Sequence, residues 1–220
     1  MTLAIFDLDN TLIAGDSDHG WGEFLADRGK VDGEVYRAMN EKFYQDYQHG
    51  RLDIGEYLAF ALEPLARLSR EELDDLHRAF MAEVIEPLWL PRAVALVESH
   101  RQRGHRLMVI TSTNRFIVEP ICQRLGIADL LATELVERDG RYTGAVDGVP
   151  TYQEGKVIRL KEWLVDSGEE LAGSYFYSDS INDLPLLEVV DNPVAVDPDE
   201  RLAATAAERG WPVITLRDEG

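Results

Sequence analysis

Short apolar runs and amphipathic segments alternate along most of the chain. The first run is Leu3–Phe6, and similar runs follow at 107–110, 175–177, 193–196 and 212–214. Uninterrupted apolar runs of this length are typical of buried parallel strands. Segments with helical periodicity lie between the later runs, at 91–103, 114–125, 154–165 and 199–209. This alternation predicts an α/β fold with a Rossmann-like, doubly wound parallel sheet as its core.

One long segment, residues 15–88, lacks strand-like runs and shows only helical periodicity. Two sets of apolar residues recur there at helical spacing: Val35, Met39, Phe43 and Tyr47, and Leu73, Leu76, Phe80 and Val84. We therefore predict an α-helical cap domain over 15–88, inserted into a core domain built from 1–14 and 89–220. An insertion after the first strand lies over the carboxyl edge of the sheet, where such sheets bind ligands. A helical subdomain unrelated to the site is the alternative.

Two shorter segments carry their own predictions. Asp139-Gly140 lies between two extended stretches of 134–144, which predicts a β-hairpin. The polar end of the sequence, 217–220, is expected to fray.

Composition narrows the class of protein. The 220 residues include 22 Lys and Arg against 41 Asp and Glu, a net charge of -19. This charge disfavours nucleic acid and anionic membranes as partners, although a bound metal can reverse the sign locally. The single cysteine, Cys122, excludes an intrachain disulfide and a cysteine-based zinc site. With no signal-peptide pattern and no bilayer-length apolar run, we expect a soluble cytoplasmic protein.

Two acidic clusters follow apolar strands. Asp7 and Asp9 come directly after the first strand, with Thr11 two residues on, and Ser178–Asp183 follows the strand at 175–177. Neighbouring parallel strands would bring both clusters to one edge of the sheet, where ionised carboxylates require a cation. Oxygen ligands without His or Cys favour Mg²⁺. Helix capping by Asp179 or Asp183 is the alternative.

A hydroxyl and an ammonium group fall at the same predicted edge. Thr111 ends the strand at 107–110, and Lys156 opens a helix after Gly155. Together with nearby backbone N–H groups they could hold a phosphate. Helix capping by Thr111 and a solvated Lys156 are the alternatives, and Lys161 is a competing lysine farther along the same helix.

These positions together resemble the haloacid dehalogenase-like hydrolase superfamily, in particular its phosphoserine-phosphatase-like branch, subfamily IB, with a C1-type cap. The first family motif matches Asp7-Leu8-Asp9-Asn10-Thr11-Leu12, and the second, a hydroxyl residue ending a strand, matches Thr111. The lone lysine of the third motif matches Lys156. The acidic fourth motif matches Asp179 and Asp183, with Asn182 also fitting.

The resemblance implies a role for each matched residue. Asp7 would be the nucleophile that forms an aspartyl-phosphate, and Asp9 the general acid and base. Mg²⁺ would be the cofactor. The metal ligands would be Asp7, Asp179 and the backbone carbonyl of Asp9. Asn182 and Asp183 would orient these ligands. Thr111, Ser112 and Lys156 would hold the phosphoryl oxygens.

Departures from the branch bear on the substrate. Phosphoserine phosphatases have Ser-Gly-Gly at the second motif, where this chain has Thr111-Ser112-Thr113. Asp16 matches the acid that holds the substrate amine in that branch. The arginine that binds the substrate carboxylate is missing from 56–62, after the recognisable Gly50-Arg51-Leu52. We therefore expect an amino-alcohol phosphate, with histidinol phosphate first and phosphoserine as the alternative.

Several alternatives stay open at this point. An arginine elsewhere could supply the missing charge, and the candidates are Arg51, Arg67 and Arg115, of which we assign Arg115 to substrate binding. A phospho-receiver domain or a non-catalytic phosphate-binding protein is the competing class. A receiver is about half this length and lacks the cap insertion. The expected partner is a small phosphorylated metabolite, and the protein itself is expected to be a monomer or homodimer.

Overall fold

A seven-stranded sheet forms the centre of the computed structural model, which describes residues 1–217. The strands are β1 (Leu3–Phe6), β2 (Arg106–Asn114), β3 (Asp129–Arg138), β4 (Arg141–Asp147), β5 (Tyr175–Ser178), β6 (Asn192–Val196) and β7 (Val213–Ile214). They lie in the order β4-β3-β2-β1-β5-β6-β7, and all neighbours are parallel except β3 and β4. The predicted fold class is confirmed, and so is the hairpin. Of the predicted frayed end, residues 218–220 lie outside the described residues.

Nine α-helices accompany these strands within residues 1–217. Four follow β1 directly along the chain: α1 (Ser17–Asp27), α2 (Gly33–Gln48), α3 (Ile54–Arg67) and α4 (Arg70–Phe80). The others are α5 (Pro91–Gln102), α6 (Arg115–Arg124), α7 (Glu154–Ser167), α8 (Leu184–Leu187) and α9 (Glu200–Arg209). No helix of the described residues has the length and apolar character needed to cross a membrane.

The side chains of β1 alternate between two hydrophobic clusters, one on each face of the sheet. Ala4 and Phe6 belong to one cluster, and Leu3 and Ile5 belong to the other. All four side chains are fully buried, which explains why this strand is apolar throughout. Burial of a side chain as large as Phe6 contributes roughly 2 to 3 kcal/mol.

Helices α1 to α4 form an insertion that leaves and rejoins the core at one point. Ala14 N donates to Leu88 O at 2.8 Å, so the two connecting segments are joined at the base of the insertion. Ser69 and Glu72 form the capping box that opens α4. After α4 the chain continues as a π-helical turn over Met81–Ile85 and a 3₁₀ turn over Glu86–Leu88. The division into core and cap domains at 15 and 88 stays a prediction.

The apolar stripes predicted for α2 and α4 are buried only in part. In α4, Leu73, Leu76 and Phe80 are buried as the spacing indicates. In α2, Val35 is 62% exposed, although it continues the apolar stripe of Phe43. The reason is that Val35 lies on the solvent side of the first turn of α2, whereas the neighbouring Tyr36 stacks on Phe60 of α3.

The register of the central strands sets the position of the polar residues that follow them. Phe6 of β1 pairs with Val109 of β2 and with Tyr177 of β5. Beyond these pairs, Asp7 N donates to Tyr177 O at 2.9 Å. The residues after Phe6, Val109 and Tyr177 therefore emerge together at the carboxyl edge of the sheet, beneath the inserted helices.

Candidate active site

The loop after β1 is fixed to the loop after β5. Asn10 adopts a left-handed conformation with φ 55°, and its N–H donates to Gly15 O at 2.9 Å, which closes the turn. Thr11 Oγ1 donates to Asp179 Oδ1 at 3.2 Å and accepts the Asp179 N–H at 3.1 Å. The two predicted acidic clusters therefore do lie side by side.

Lys156 joins these clusters through a buried ion pair with two carboxylates. Its Nζ lies 2.8 Å from Asp7 Oδ1 and 2.7 Å from Asp183 Oδ1, and all three side chains are almost fully buried. The Ser178 hydroxyl donates to Asp183 Oδ2 at 2.6 Å. Burial raises the pKa of Asp7 to about 7 although Lys156 lowers it. The competing lysine, Lys161, is exposed.

A strained turn brings Lys156 to this position. Gln153, directly before α7, has φ 50° and ψ -120°, a conformation that favours glycine. At Gly155 an added Cβ would lie 2.0 Å from Pro150 O, so only glycine fits there. The turn therefore points the first residues of α7 at Asp7.

Asp9 is held by two donors, one from the inserted segment and one from the core. Ser17 N donates to Oδ1 at 2.7 Å, and Thr113 Oγ1 donates to Oδ2 at 2.8 Å. Burial raises the pKa of Asp9 to about 7, and the charge of Asp16 raises it further. Sequence reasoning gave Thr113 no role. Its position two residues after Thr111 on the same strand was the available signal, because such residues share a face.

Thr111 and Ser112 line the space above Asp7 and Asp9. Thr111 is buried, and its Oγ1 accepts the Thr113 N–H at 3.2 Å. Its carbonyl accepts the Thr151 hydroxyl at 2.6 Å. The end of β2 is thereby fixed, and its Thr113 hydroxyl contacts Asp9.

The inserted helices roof a cavity at the carboxyl edge of the sheet. Its floor is formed by the sheet edge, and its walls are aspartates and aromatic rings. Within residues 1–217 no lysine or arginine lines it. The aspartates are Asp7, Asp9, Asp16 and Asp18, and the aromatic residues are Phe43, Tyr44, Tyr47, Tyr57 and Tyr152.

Asp16, the predicted amine contact, lies on this cavity and also caps α1. Its Oδ1 accepts the N–H groups of Asp18 at 2.9 Å and His19 at 2.8 Å. Burial raises its pKa to about 7, and the charge of Asp18 acts in the same direction. Asp16 therefore caps the helix and faces the cavity with one side chain.

Arg115, assigned to substrate binding from the sequence, is not brought to the cavity. Its guanidinium donates to Glu134 at 2.6 and 2.7 Å and to Leu130 O at 2.9 Å, in a separate groove. The acidic side chain of Glu134 on β3 holds it there. Arg51 and Arg67 do not line the cavity either, since they pair with Asp46 and Glu63 on the cap helices.

Asn182, assigned to the metal environment, joins the core to the insertion, and its role near the metal stays a prediction. Its Nδ2 donates to Tyr47 O of α2 at 2.8 Å. Its Oδ1 accepts from Tyr152 Oη at 3.3 Å and from Gln153 Nε2 at 3.2 Å. The side chain faces the end of α2 because it projects from the 3₁₀ turn at 181–183 toward that helix. Asp183, on the same turn, contacts Lys156 and Ser178.

The environment of Asp179 fits a divalent cation. Burial raises its pKa well above the usual value, and the charges of Asp7 and Asp183 raise it further, while its side-chain partner is the neutral Thr11 hydroxyl. Within residues 1–217 no three His, Cys, Asp or Glu side chains form a metal-holding group. A cation between Asp7 and Asp179 would therefore need a main-chain oxygen as well. An all-oxygen set of this kind suits Mg²⁺.

The arrangement of these residues can be compared with known proteins. Residues 4–188 match the family model of the haloacid dehalogenase-like hydrolases. The chain belongs to this family. Membership confirms the prediction made from the four motifs, and it sets aside the receiver domain and the non-catalytic binding protein as alternatives.

Similar proteins cover the whole length of this hydrolase. It is 52% identical over 219 residues to a histidinol-phosphatase of Neisseria meningitidis serogroup C (strain 8013), covering 98% of this chain and 99% of that protein. A protein of unknown function from Bordetella pertussis Tohama I shares 42% identity and has a TM-score of 0.92, covering 99% of this hydrolase and 100% of that chain. A phosphoserine phosphatase in a phospho-aspartyl intermediate analogue form, 18% identical with a TM-score of 0.72 over 99% and 94% of the two chains, shares the fold.

Proposed function

We propose that the protein is a Mg²⁺-dependent phosphatase that hydrolyses histidinol phosphate. The observation that carries this proposal is the chemistry of the cavity over Asp7 and Asp9. It presents aspartates and aromatic rings to a ligand, and no lysine or arginine of the described residues lines it. A cavity of this kind favours a substrate with cationic groups beyond its phosphate. The 52% identity to a protein named histidinol-phosphatase supports the same substrate.

The reaction begins with Asp7. A carboxylate oxygen of Asp7 attacks phosphorus, forming a new P–O bond as the ester P–O bond breaks. Lys156, 2.8 Å from Asp7 Oδ1, orients this carboxylate and adds positive charge where the phosphoryl oxygens arrive. Thr111 and Ser112 line the cavity with Asp7 and would donate to the same oxygens.

Asp9 moves the protons. In the first step it gives its proton to the leaving oxygen, so that the amino alcohol departs with a neutral hydroxyl group and not as an alkoxide. In the second step Asp9 takes a proton from the water that attacks the aspartyl-phosphate, which releases phosphate and restores Asp7. The donors Ser17 N and Thr113 Oγ1 hold the Asp9 carboxyl in place through both steps.

We assign the metal site to the Asp7 carboxylate, the Asp9 carbonyl and Asp179. Bound Mg²⁺ would neutralise the negative charge that builds up on the phosphoryl oxygens. Asp183 fixes Lys156, and Thr11 fixes Asp179, so each neighbour of Asp7 has its own support.

Phosphoserine is the second candidate, favoured by the similarity of fold to phosphoserine phosphatase. Its amine could bind Asp16. Its carboxylate, however, would enter a cavity that already holds Asp16 and Asp18 and is lined by no arginine of the described residues. Burying that carboxylate unpaired would cost several kcal/mol.

A substrate panel tests the proposal. With Mg²⁺ we expect kcat/KM for histidinol phosphate to exceed that for phosphoserine by roughly 100-fold or more, since about 1.4 kcal/mol is tenfold.

A chelator should stop turnover and Mg²⁺ should restore it. Mg²⁺ should also raise the melting temperature of the wild type but not of Asp179→Asn. A preference for phosphoserine would overturn the substrate, and full turnover in chelator would overturn the metal.

A further inference from the structure

The cavity holds one carboxylate that neither the reaction nor the helix cap uses. Asp18 lies in the first turn of α1 and lines the cavity beside Asp16. Whereas Asp16 accepts two backbone N–H groups of its own helix, Asp18 is bonded by the Tyr57 hydroxyl of α3. A carboxylate has about four acceptor positions, so one hydroxyl leaves Asp18 free to accept from a ligand.

No lysine or arginine of the described chain balances Asp18, and the basic side chain that lines the cavity with it is the His19 imidazole. The cavity is lined by no lysine or arginine of residues 1–217, and the charged neighbour that acts on Asp18 is Asp9, which has the same sign. Burial raises the pKa of Asp18 to about 7. A ligand that brings an N–H donor or a positive charge would remove the cost of burying this group.

Histidinol phosphate, the substrate proposed above, carries two nitrogen groups in a fixed order. Its ammonium is on the carbon next to the ester CH₂, and its imidazole follows one carbon later. The protein places its two acids at different distances from the reaction: the charge of Asp7 acts on Asp16, whereas Asp18 is bonded to Tyr57 on the inserted helix α3. If Asp16 takes the ammonium, the imidazole N–H is the donor left for Asp18.

We propose that Asp18, positioned by Tyr57, is the specificity-determining residue that accepts the imidazole N–H of the substrate. This inference rests on the proposed function and adds the residue that selects the ring. Phe43, Leu52 and Ile54 line the same cavity and supply an apolar surface for a flat ring. A substrate that ends in a carboxylate would place that group against Asp18 and be repelled.

Four phosphate esters allow the effects of the ammonium and of the imidazole to be measured separately. Histidinol phosphate has both, phosphoethanolamine has only the amine, 3-(imidazol-4-yl)propyl phosphate has only the ring, and p-nitrophenyl phosphate has neither. The variant Asp18→Asn keeps the shape of the side chain and a hydrogen-bond partner for Tyr57. We expect it to lower kcat/KM about 10- to 100-fold for the two imidazole esters, the effect of one charge-assisted hydrogen bond. The other two esters should change by less than about threefold.

Two further variants complete the test. Tyr57→Phe removes the hydroxyl that positions Asp18, and it should raise KM for the imidazole esters about fivefold while leaving kcat and the other esters unchanged. Asp75→Asn is the matched control, because Asp75 is exposed on α4 and pairs with Arg78 away from the cavity. It should behave as wild type on all four esters.

The outcomes distinguish this inference from the proposed function. If wild type prefers histidinol phosphate but Asp18→Asn lowers all four esters equally, Asp18 supports the structure only, and the inference is wrong while the function stands. Selective loss in Tyr57→Phe without loss in Asp18→Asn would also overturn it. If wild type turns over p-nitrophenyl phosphate yet shows no preference for histidinol phosphate, both the proposed substrate and this inference are overturned.

Discussion

The two hydrogen bonds on Asp9 determine what this single carboxyl group can do. Ser17 N and Thr113 Oγ1 both donate to it, which favours the ionised form and lowers the pKa. Burial acts in the opposite direction and is the larger effect, so the pKa is raised to about 7. A carboxyl group balanced in this way can lose and regain a proton near neutral pH, as a general acid and base must.

Thr113→Val tests this arrangement at the residue scale. The substitution keeps the shape but removes one of the two donors, so Asp9 should be less well oriented. We expect kcat for histidinol phosphate to fall about tenfold with little change in KM, the effect of one hydrogen bond of about 1.4 kcal/mol. The loss on p-nitrophenyl phosphate should be smaller, because its leaving group departs without a proton. Steady-state kinetics on both esters provide the measurement.

The control for this variant is Thr143→Val, since Thr143 is exposed on β4 far from Asp9. It should leave both esters unchanged. Equal losses on the two esters in Thr113→Val would mean that Thr113 supports the sheet edge and not proton transfer.

At the scale of elements, the carboxyl end of α2 is one part of the insertion that the core holds by polar contacts. Asn182 donates to Tyr47 O at 2.8 Å, and Arg201 donates to His49 O at 3.0 Å. These donors satisfy carbonyl groups that the end of a helix leaves without partners. Since Phe43, Tyr44 and Tyr47 of α2 line the cavity, this contact also sets the position of one cavity wall.

Asn182→Ala should loosen that wall. Loss of the bond to Tyr47 O should speed hydrogen exchange of the α2 amides and raise KM for histidinol phosphate about fivefold, the effect of about 1 kcal/mol. Exchange mass spectrometry of 33–50 and steady-state kinetics measure the two effects. Asn192→Ala is the matched control, because Asn192 also donates to carbonyl groups, those of Gly173 and Ser174, but away from the cavity. Unchanged exchange in α2 would refute the role of Asn182.

The elements themselves were largely readable from the sequence, whereas these contacts were not. The apolar runs predicted the strands near 3–6 and 175–178. Pro91 and Gly104 predicted the two ends of α5 to within two residues. Local patterns could find them because strand and helix periods are local properties. The bond from Asn182 to Tyr47 joins residues 135 positions apart. No local pattern encodes such a pair, and the contact of Asn182 with Tyr47 was therefore not predicted, while its assignment to the metal environment stays a prediction.

On the scale of the whole molecule, the insertion is attached to the core in two chemically different ways. Near its base, Trp21, His77 and Phe80 form an aromatic cluster with Phe116 of α6, and His77 Nε2 is hydrogen-bonded to Ile117 O at 2.9 Å. At the far end the contacts are the polar ones of α2. Arg70 of α4 also donates to Glu137 of β3 and to Tyr142 of β4, at 3.0 and 2.9 Å, so polar contacts hold the insertion on this side as well.

A buried histidine outside the cavity makes the stability of the whole molecule depend on pH. His100 is fully buried, with Nε2 2.8 Å from Tyr177 Oη and Nδ1 2.8 Å from His105 Nδ1. Burial, and then the charges of Arg103 and His105, lower its pKa from 6.5 to about 4. Between these values the unfolded chain binds a proton that the folded protein does not, so this contribution to stability is lost as the pH falls.

The expected size of this effect follows from the shift in pKa. Between about pH 7.5 and about pH 5, His100 should reduce the free energy of unfolding by about 2 kcal/mol, at about 1.4 kcal/mol per pKa unit. Urea unfolding of wild type and His100→Gln at both pH values measures it. The quantity compared is the difference between the two proteins, because the buried aspartates of the cavity, whose pKa values are raised, act in the opposite direction and cancel in that difference. His100→Asn should give the same slope. A difference that stays constant across this range would show that His100 takes up a proton as readily in the folded protein as in the unfolded chain.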